Sequence, residues 1–275
     1  MECDGASGCR IGISTNHAST DEGVIMNARS ILMSSVGIVL STGMLIGACA
    51  SSDIAASTSS ADVPAVYRKY SADVKVSVDG DYILLVATGV PDHKSPYFAA
   101  SDAKYEAYNG TNANFGKAPG VITAQSYSIR IPAHPAKAAT SAPTSLGPIG
   151  LALNGVPFFN QYNGQNRPLT VEIDSFDQYN GHPTPTNAYH YHAEPTWLTK
   201  SLGSDKLLGF LLDGFPVYGP VENGVRVTNA ALDQLHGHVG VTAEYPSGTY
   251  HYHITDADPY INGAGFYGTA GTIGR

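Results

Sequence analysis

The chain is predicted to be mainly β: antiparallel sheets in a sandwich-like arrangement, few short helices, and an internal duplication of two halves of about sixty residues each. Three observations carry that prediction. The tetrapeptide Tyr-His-Tyr-His occurs twice, at 189–192 and 250–253, and strict alternation belongs to strands, whose successive side chains point to opposite faces. Period-two stretches dominate after Pro64, whereas helical periodicity is scarce. Charged residues make up only 14% of the chain while Gly (30), Pro (17) and Tyr (17) are plentiful, a balance suited to a loop-rich β protein.

Taken in order, residues 74–78 and 82–86 flank Asp79-Gly80-Asp81 and read as a hairpin about a tight turn. Residues 125–131 alternate cleanly before Pro132, and residues 133–148, rich in Pro, Ala and Thr, form a long loop. Residues 149–159 then reappear as residues 208–218. Each reads as a buried strand, a turn at Asn154-Gly155 or Asp213-Gly214, and a strand led by proline. A Gly-His pair follows each (Gly181-His182, Gly237-His238), then Tyr-His-Tyr-His, then a proline near an aromatic (Pro195/Trp197, Pro259/Tyr260). Landmarks repeated in one order make residues 146–200 and 205–267 two copies of one supersecondary unit, packed about a pseudo-two-fold axis. Residues 229–235 are a candidate short helix.

The N-terminal quarter is expected to lie outside this domain. Residues 26–48 combine a short basic start at Arg29 with an uncharged apolar run at 31–46 and small residues before Cys49, the pattern of a lipoprotein-type signal peptide lipidated at Cys49. A retained membrane anchor is the alternative, since the apolar run is nearly long enough to span. Met26 is the expected start, residues 1–25 an upstream extension, and residues 49–63, rich in Ser, Ala and Thr, a flexible tether. The domain at 64–275 is therefore expected to be exported and anchored in the cell envelope, periplasmic or outer-membrane. The net charge of -8 and scattered Lys and Arg argue against nucleic acid as a partner.

Function is sought in the histidines. Imidazoles two apart on a strand share a face and can converge on one ion, so each half offers three: His182, His190, His192 and His238, His251, His253. Two geometries are open: four nitrogens from both halves around one ion, or three nitrogens and a vacancy in each half. A closed set suits a carrier, and a vacancy suits catalysis. Either way the reading leans on imidazoles of both halves meeting in one shared pocket. A single His-x-His is ordinarily a polar pair at a sheet surface; the matching contexts shift the balance toward metal. His93, after Pro91-Asp92, either joins the cleft or belongs to a strand-capping turn, while His134, between two prolines, reads as an exposed loop residue. Asp177 and Glu194 are candidates to orient imidazole nitrogens, with solvated loop carboxylates the alternative. Asp213 sits in a turn whose counterpart, Asn154, cannot ionise. No cysteine or methionine follows Cys49, so disulfides and Cu(I)-type sulfur ligation are excluded from the domain, and Zn(II) or Cu(II) is the expected cofactor. His-Glu-x-x-His and Gly-x-Ser-x-Gly are absent from it as well.

These residues resemble the YHYH-domain family, a group of mostly exported bacterial proteins. The matching stretches are Gly-Val-Pro-Asp-His at 89–93, Asn-Gly-Val-Pro at 154–157, Phe-Asp at 176–177 and Gly-His-Pro at 181–183. Leu-Asp-Gly-Phe-Pro-Val-Tyr-Gly at 212–219 and both Tyr-His-Tyr-His sequences complete them. The resemblance implies weight on His182 and His93 as family landmarks. A cysteine that the family often carries near the first Gly-His is replaced here by Tyr179-Asn180, so a thiol is not required. Three functions are carried forward: a metal-binding protein for sequestration, delivery or sensing; a metalloenzyme, hydrolytic or oxidative, using metal-bound water; and a non-metal module for glycans or envelope partners.

Overall fold

The computed structural model describes residues 63–274. The signal-like segment, the lipidation site Cys49 and the tether up to residue 62 lie outside the described residues. In chain order the strands and helix are β1 (Lys75–Asp79), β2 (Tyr82–Ala87), β3 (Tyr127–Pro132), β4 (Pro148–Ala152), β5 (Pro157–Phe159), β6 (Gly181–Pro183), β7 (Tyr189–Tyr191), α1 (Thr196–Leu202), β8 (Leu207–Leu211), β9 (Pro216–Tyr218), β10 (Val221–Glu222), β11 (Val225–Arg226), β12 (Gly237–Gly240), β13 (Thr249–His253) and β14 (Thr272–Gly274). The fold is mainly β, as the sequence predicts.

A four-stranded antiparallel sheet runs β1-β2-β3-β14. The predicted hairpin is there, turning through Gly80-Asp81 with Gly80 in the left-handed region at φ +59°. Period two decides which face is buried: Ile83, Leu85, Ile129 and Ile131 point inward and join the core of the larger sheet.

The larger sheet has eight strands in the order β12-β13-β9-β8-β4-β5-β7-β6. At its centre β4 and β8 pair antiparallel, with Leu151 opposite Phe210, Gly150 opposite Leu211 and Ala152 opposite Gly209. These strands are buried along their whole length, which explains why they read as continuous apolar runs. Outward from that pair the two sides correspond strand for strand. β5 and β9 are antiparallel to their inner neighbours, β7 and β13 are parallel to β5 and β9, and β6 and β12 close the edges antiparallel. Two glycines permit the central pairing: a Cβ on Gly150 would lie 2.4 Å from the Phe210 carbonyl oxygen, and one on Gly209 would lie 2.3 Å from that of Leu151. The turns at Gly155 and Gly214 take φ of +83° and +81°, as their Asn-Gly and Asp-Gly sequences suggest.

Two details differ from the sequence reading. The β5·β7 and β9·β13 pairs are parallel, because long connections carry the chain from one strand end back to the other. The helical turn expected at 229–235 shrinks to the 3₁₀ turn Asn229–Ala231, and the α-helix is α1, ended at Gly203.

Candidate metal centres

The strand order keeps the two histidine sets apart. β6 and β7 lie at one edge of the large sheet and β12 and β13 at the other. Five inter-strand steps separate β7 from β13, roughly 24 Å at about 4.8 Å per step. The shared pocket expected from the sequence is therefore corrected: each half gathers its own imidazoles, because β4 and β8 occupy the centre and push the Tyr-His-Tyr-His strands outward.

In the first half His182 on β6 stands directly opposite His190 on β7, and His192 follows two residues on, on the same face. The 3₁₀ turn Glu172–Ser175 brings a carboxylate to the three rings. His190 Nε2 and His192 Nε2 are 2.8 Å apart. Glu172 Oε1 is 3.2 Å from His182 Nε2 and 3.6 Å from His192 Nε2. Phe159 stacks on His190 at 3.9 Å between ring centres, and Phe176 lies parallel to His192 at 5.8 Å. In the second half His238 on β12 is opposite His251 on β13, His253 completes the face, and Glu222 on β10 supplies the carboxylate. Its oxygens lie 3.4 Å from His238 Nε2 and 3.4 Å from His251 Nε2. In each set the four donor atoms all fall within 4.8 Å of one another.

The outward nitrogens fix which atom faces the cluster. His190 Nδ1 is 3.1 Å from the Ala188 carbonyl oxygen and His192 Nδ1 is 2.6 Å from that of Asn160. His251 and His253 repeat the pattern with Thr249 and Gly219, at 3.2 Å and 2.9 Å. A carbonyl only accepts, so these Nδ1 atoms carry the ring proton. Ser175 donates its hydroxyl proton to the Glu172 carbonyl at 2.6 Å, so its Oγ accepts from His182 Nδ1 at 2.8 Å. Five rings thus aim a bare Nε2 lone pair into the clusters, and Nε2 of His182, His238, His251 and His253 is buried with no hydrogen-bond partner. Backbone and hydroxyl acceptors behind the ring are the support that metal-ligating imidazoles use.

Charge is suppressed on two rings of each set. Burial first, then the neighbouring imidazoles, holds His190 well below its ordinary value and pushes His192 down to about 4. Burial likewise lowers His251 and takes His253 to about 4. Burial alone would raise Glu172, but its contact with His182 and the pull of His182 and His192 leave its carboxyl below the usual range. Three imidazoles and one carboxylate in each set form a cation-binding donor set rich in nitrogen.

The remaining expected residues go elsewhere. His93 is corrected: it packs on the tyrosine face, its Nε2 3.0 Å from the Tyr191 hydroxyl and its ring 4.5 Å from that of Tyr179, and it belongs to neither set. Asp177 is not behind an imidazole of the sets either. It accepts from Ser95 Oγ at 2.6 Å and Tyr189 Oη at 2.8 Å, and burial raises its carboxyl. Asp213 accepts from Tyr252 Oη at 2.7 Å and from the Gly268 amide at 2.9 Å. Glu194 takes the Thr199 hydroxyl at 2.6 Å and lies 3.7 Å from Arg226 Nη2. The alternating strand separates these roles: histidines face the clusters, while Tyr189 and Tyr252 bond the buried carboxylates Asp177 and Asp213 behind. His134 is exposed, as expected.

Sequence reading missed Glu172, Glu222 and Ser175, which come from connections of different length and share no motif. It also missed a signal that was present. Asp-Gln-x-x-Gly-His occurs at 177–182 and again at 233–238, and Asp233 repeats the contacts of Asp177, accepting from Tyr250 Oη at 2.9 Å and the Gly237 amide at 3.2 Å. His236, inside that second motif, is buried with Nε2 3.0 Å from Thr255 Oγ1.

Compared with known proteins, the chain matches the family described as YHYH protein over residues 128–226 and 221–265. The two stretches together contain both histidine sets. No curated protein and no solved structure matches it.

Proposed function

This chain belongs to the YHYH protein family, and on that footing we propose that it is an exported, lipid-anchored protein that binds two transition-metal ions, one in each half, for sequestration, delivery or sensing. The observation that carries the proposal is the His190–His192 contact. Two nitrogens 2.8 Å apart, each with its ring proton committed on the far side, place lone pair against lone pair in a buried site. A cation between them turns that repulsion into two bonds. Ligands at about 2.0–2.1 Å from a tetrahedral ion are spaced by about 3.3 Å, and the contacts in the first set run from 2.8 to 3.6 Å.

Donor chemistry narrows the ion. Three imidazoles and a carboxylate, with no sulfur after Cys49, suit Zn(II) or Cu(II) rather than Cu(I). Four protein donors gathered in each set support a holding role, which favours the carrier reading over the metalloenzyme.

Equilibrium dialysis of the domain against Zn(II) or Cu(II), followed by elemental analysis, tests this. Two ions per chain are expected, one after His190→Ala with His192→Ala, and none when His251→Ala and His253→Ala are added. Metal content indifferent to these substitutions would return the histidines to a purely structural role and leave the glycan or envelope module as the better reading.

A further inference from the structure

The two sets differ in what lies in front of them. All four donor residues of the first set, Glu172, His182, His190 and His192, line a cleft of about 260 Å³. Its walls are Ala118, Pro119, Leu146, Phe159, Pro183 and Pro185, and among its lining side chains Glu172 is the one carboxylate, with no Lys or Arg. The second set opens on a smaller cleft of about 180 Å³ that also carries Asp205, Lys206 and Glu244, and His238 does not line it.

Resting on the metal reading above, we infer that the first site is a ligand-binding centre: its ion accepts a small organic monoanion, a carboxylate or phenolate with a compact apolar body, from the cleft. Charge and shape both point there. A divalent ion held by three neutral imidazoles and one carboxylate keeps a single positive charge, and the apolar cleft offers no protein cation that would compete for an anion. The same walls bury a hydrocarbon body, while Asn163, Gln165 and Thr184 at the lining supply polar contacts. The second cleft already contains a lysine and further carboxylates, so an apolar anion gains little there.

Co(II) loading of single-site variants provides the test, with benzoate as probe. His253→Gln retains the first site and His192→Gln retains the second. Benzoate is expected to change the Co(II) visible spectrum of the first variant saturably and to leave the second unchanged. Acetate, lacking the ring, and benzylamine, lacking the anion, should bind at least tenfold more weakly. Leu146→Asp, at an exposed rim position, should weaken benzoate at least tenfold while Co(II) content stays the same. Co(II) bound at the first site with a spectrum indifferent to benzoate, or equal responses at both sites, would overturn this inference alone. Failure of Co(II) to bind in either variant would overturn the metal reading and this inference with it.

Discussion

Lowering the pH of the metal-free domain should destabilise it through its buried imidazoles. His192 and His253, one in each set, sit at about 4 when folded against 6.5 for a free imidazole. Between those values the unfolded chain binds protons that the folded chain refuses, so stability is complete above about pH 6.5 and falls as pH drops toward 4. At about pH 5 each ring costs about 2 kcal/mol, and the pair about 4 kcal/mol. That is a large part of the roughly 5–15 kcal/mol that stabilises a typical domain. Urea melts of chelator-treated protein at intervals from about pH 8 to 5 measure this directly, and the midpoint should hold steady down to about pH 6.5 and then decline. Excess Zn(II) should move the decline to lower pH, because an ion present at about a hundred times its Kd adds about 2.7 kcal/mol to the folded state. A midpoint that stays level to about pH 5 without metal would mean that the rings carry their protons comfortably in the folded state, and the lone-pair geometry would lose its meaning.

Further outcomes follow from single contacts. Ser175→Ala removes the acceptor behind His182 Nδ1 and should weaken metal binding at the first site by about 10–100-fold, leaving the second site unchanged in a competition titration. Glu172→Gln should weaken the first site at least as much, since an amide replaces the ionised oxygen that sits 3.2 Å from His182 Nε2. Gly209→Ala forces a Cβ to within 2.3 Å of the Leu151 carbonyl oxygen and 2.8 Å of the Ala152 Cα, parting the central strands. It should cost about 3 kcal/mol or more in urea unfolding.

Much of this was legible in the sequence, for local reasons. Alternation in Tyr-His-Tyr-His separates rings onto two faces whatever the strand pairs with, and Asn154-Gly155 and Asp213-Gly214 need only their own backbone preferences to mark turns. Which imidazoles share an ion is a different kind of question. It depends on β4 and β8 pairing across the middle, a contact between segments about sixty residues apart that no window of sequence displays. The same blindness left His93 open between the cleft and a capping turn: its Pro-Asp-His context is visible, but the sheet face on which it lands is decided by packing against Tyr191. Glu172 and Glu222 could not be found by matching the halves, because the first lies ten residues before its Gly-His histidine and the second sixteen before.

The breadth of the central sheet has an electronic consequence. With four intervening strands between β7 and β13, two paramagnetic ions in these positions would be too distant for orbital overlap or a bridging ligand. They would act as independent magnetic centres, coupled only dipole to dipole through space. Chemistry that requires two ions to share electrons or clamp one oxygen between them would thereby be closed to a single chain of this fold.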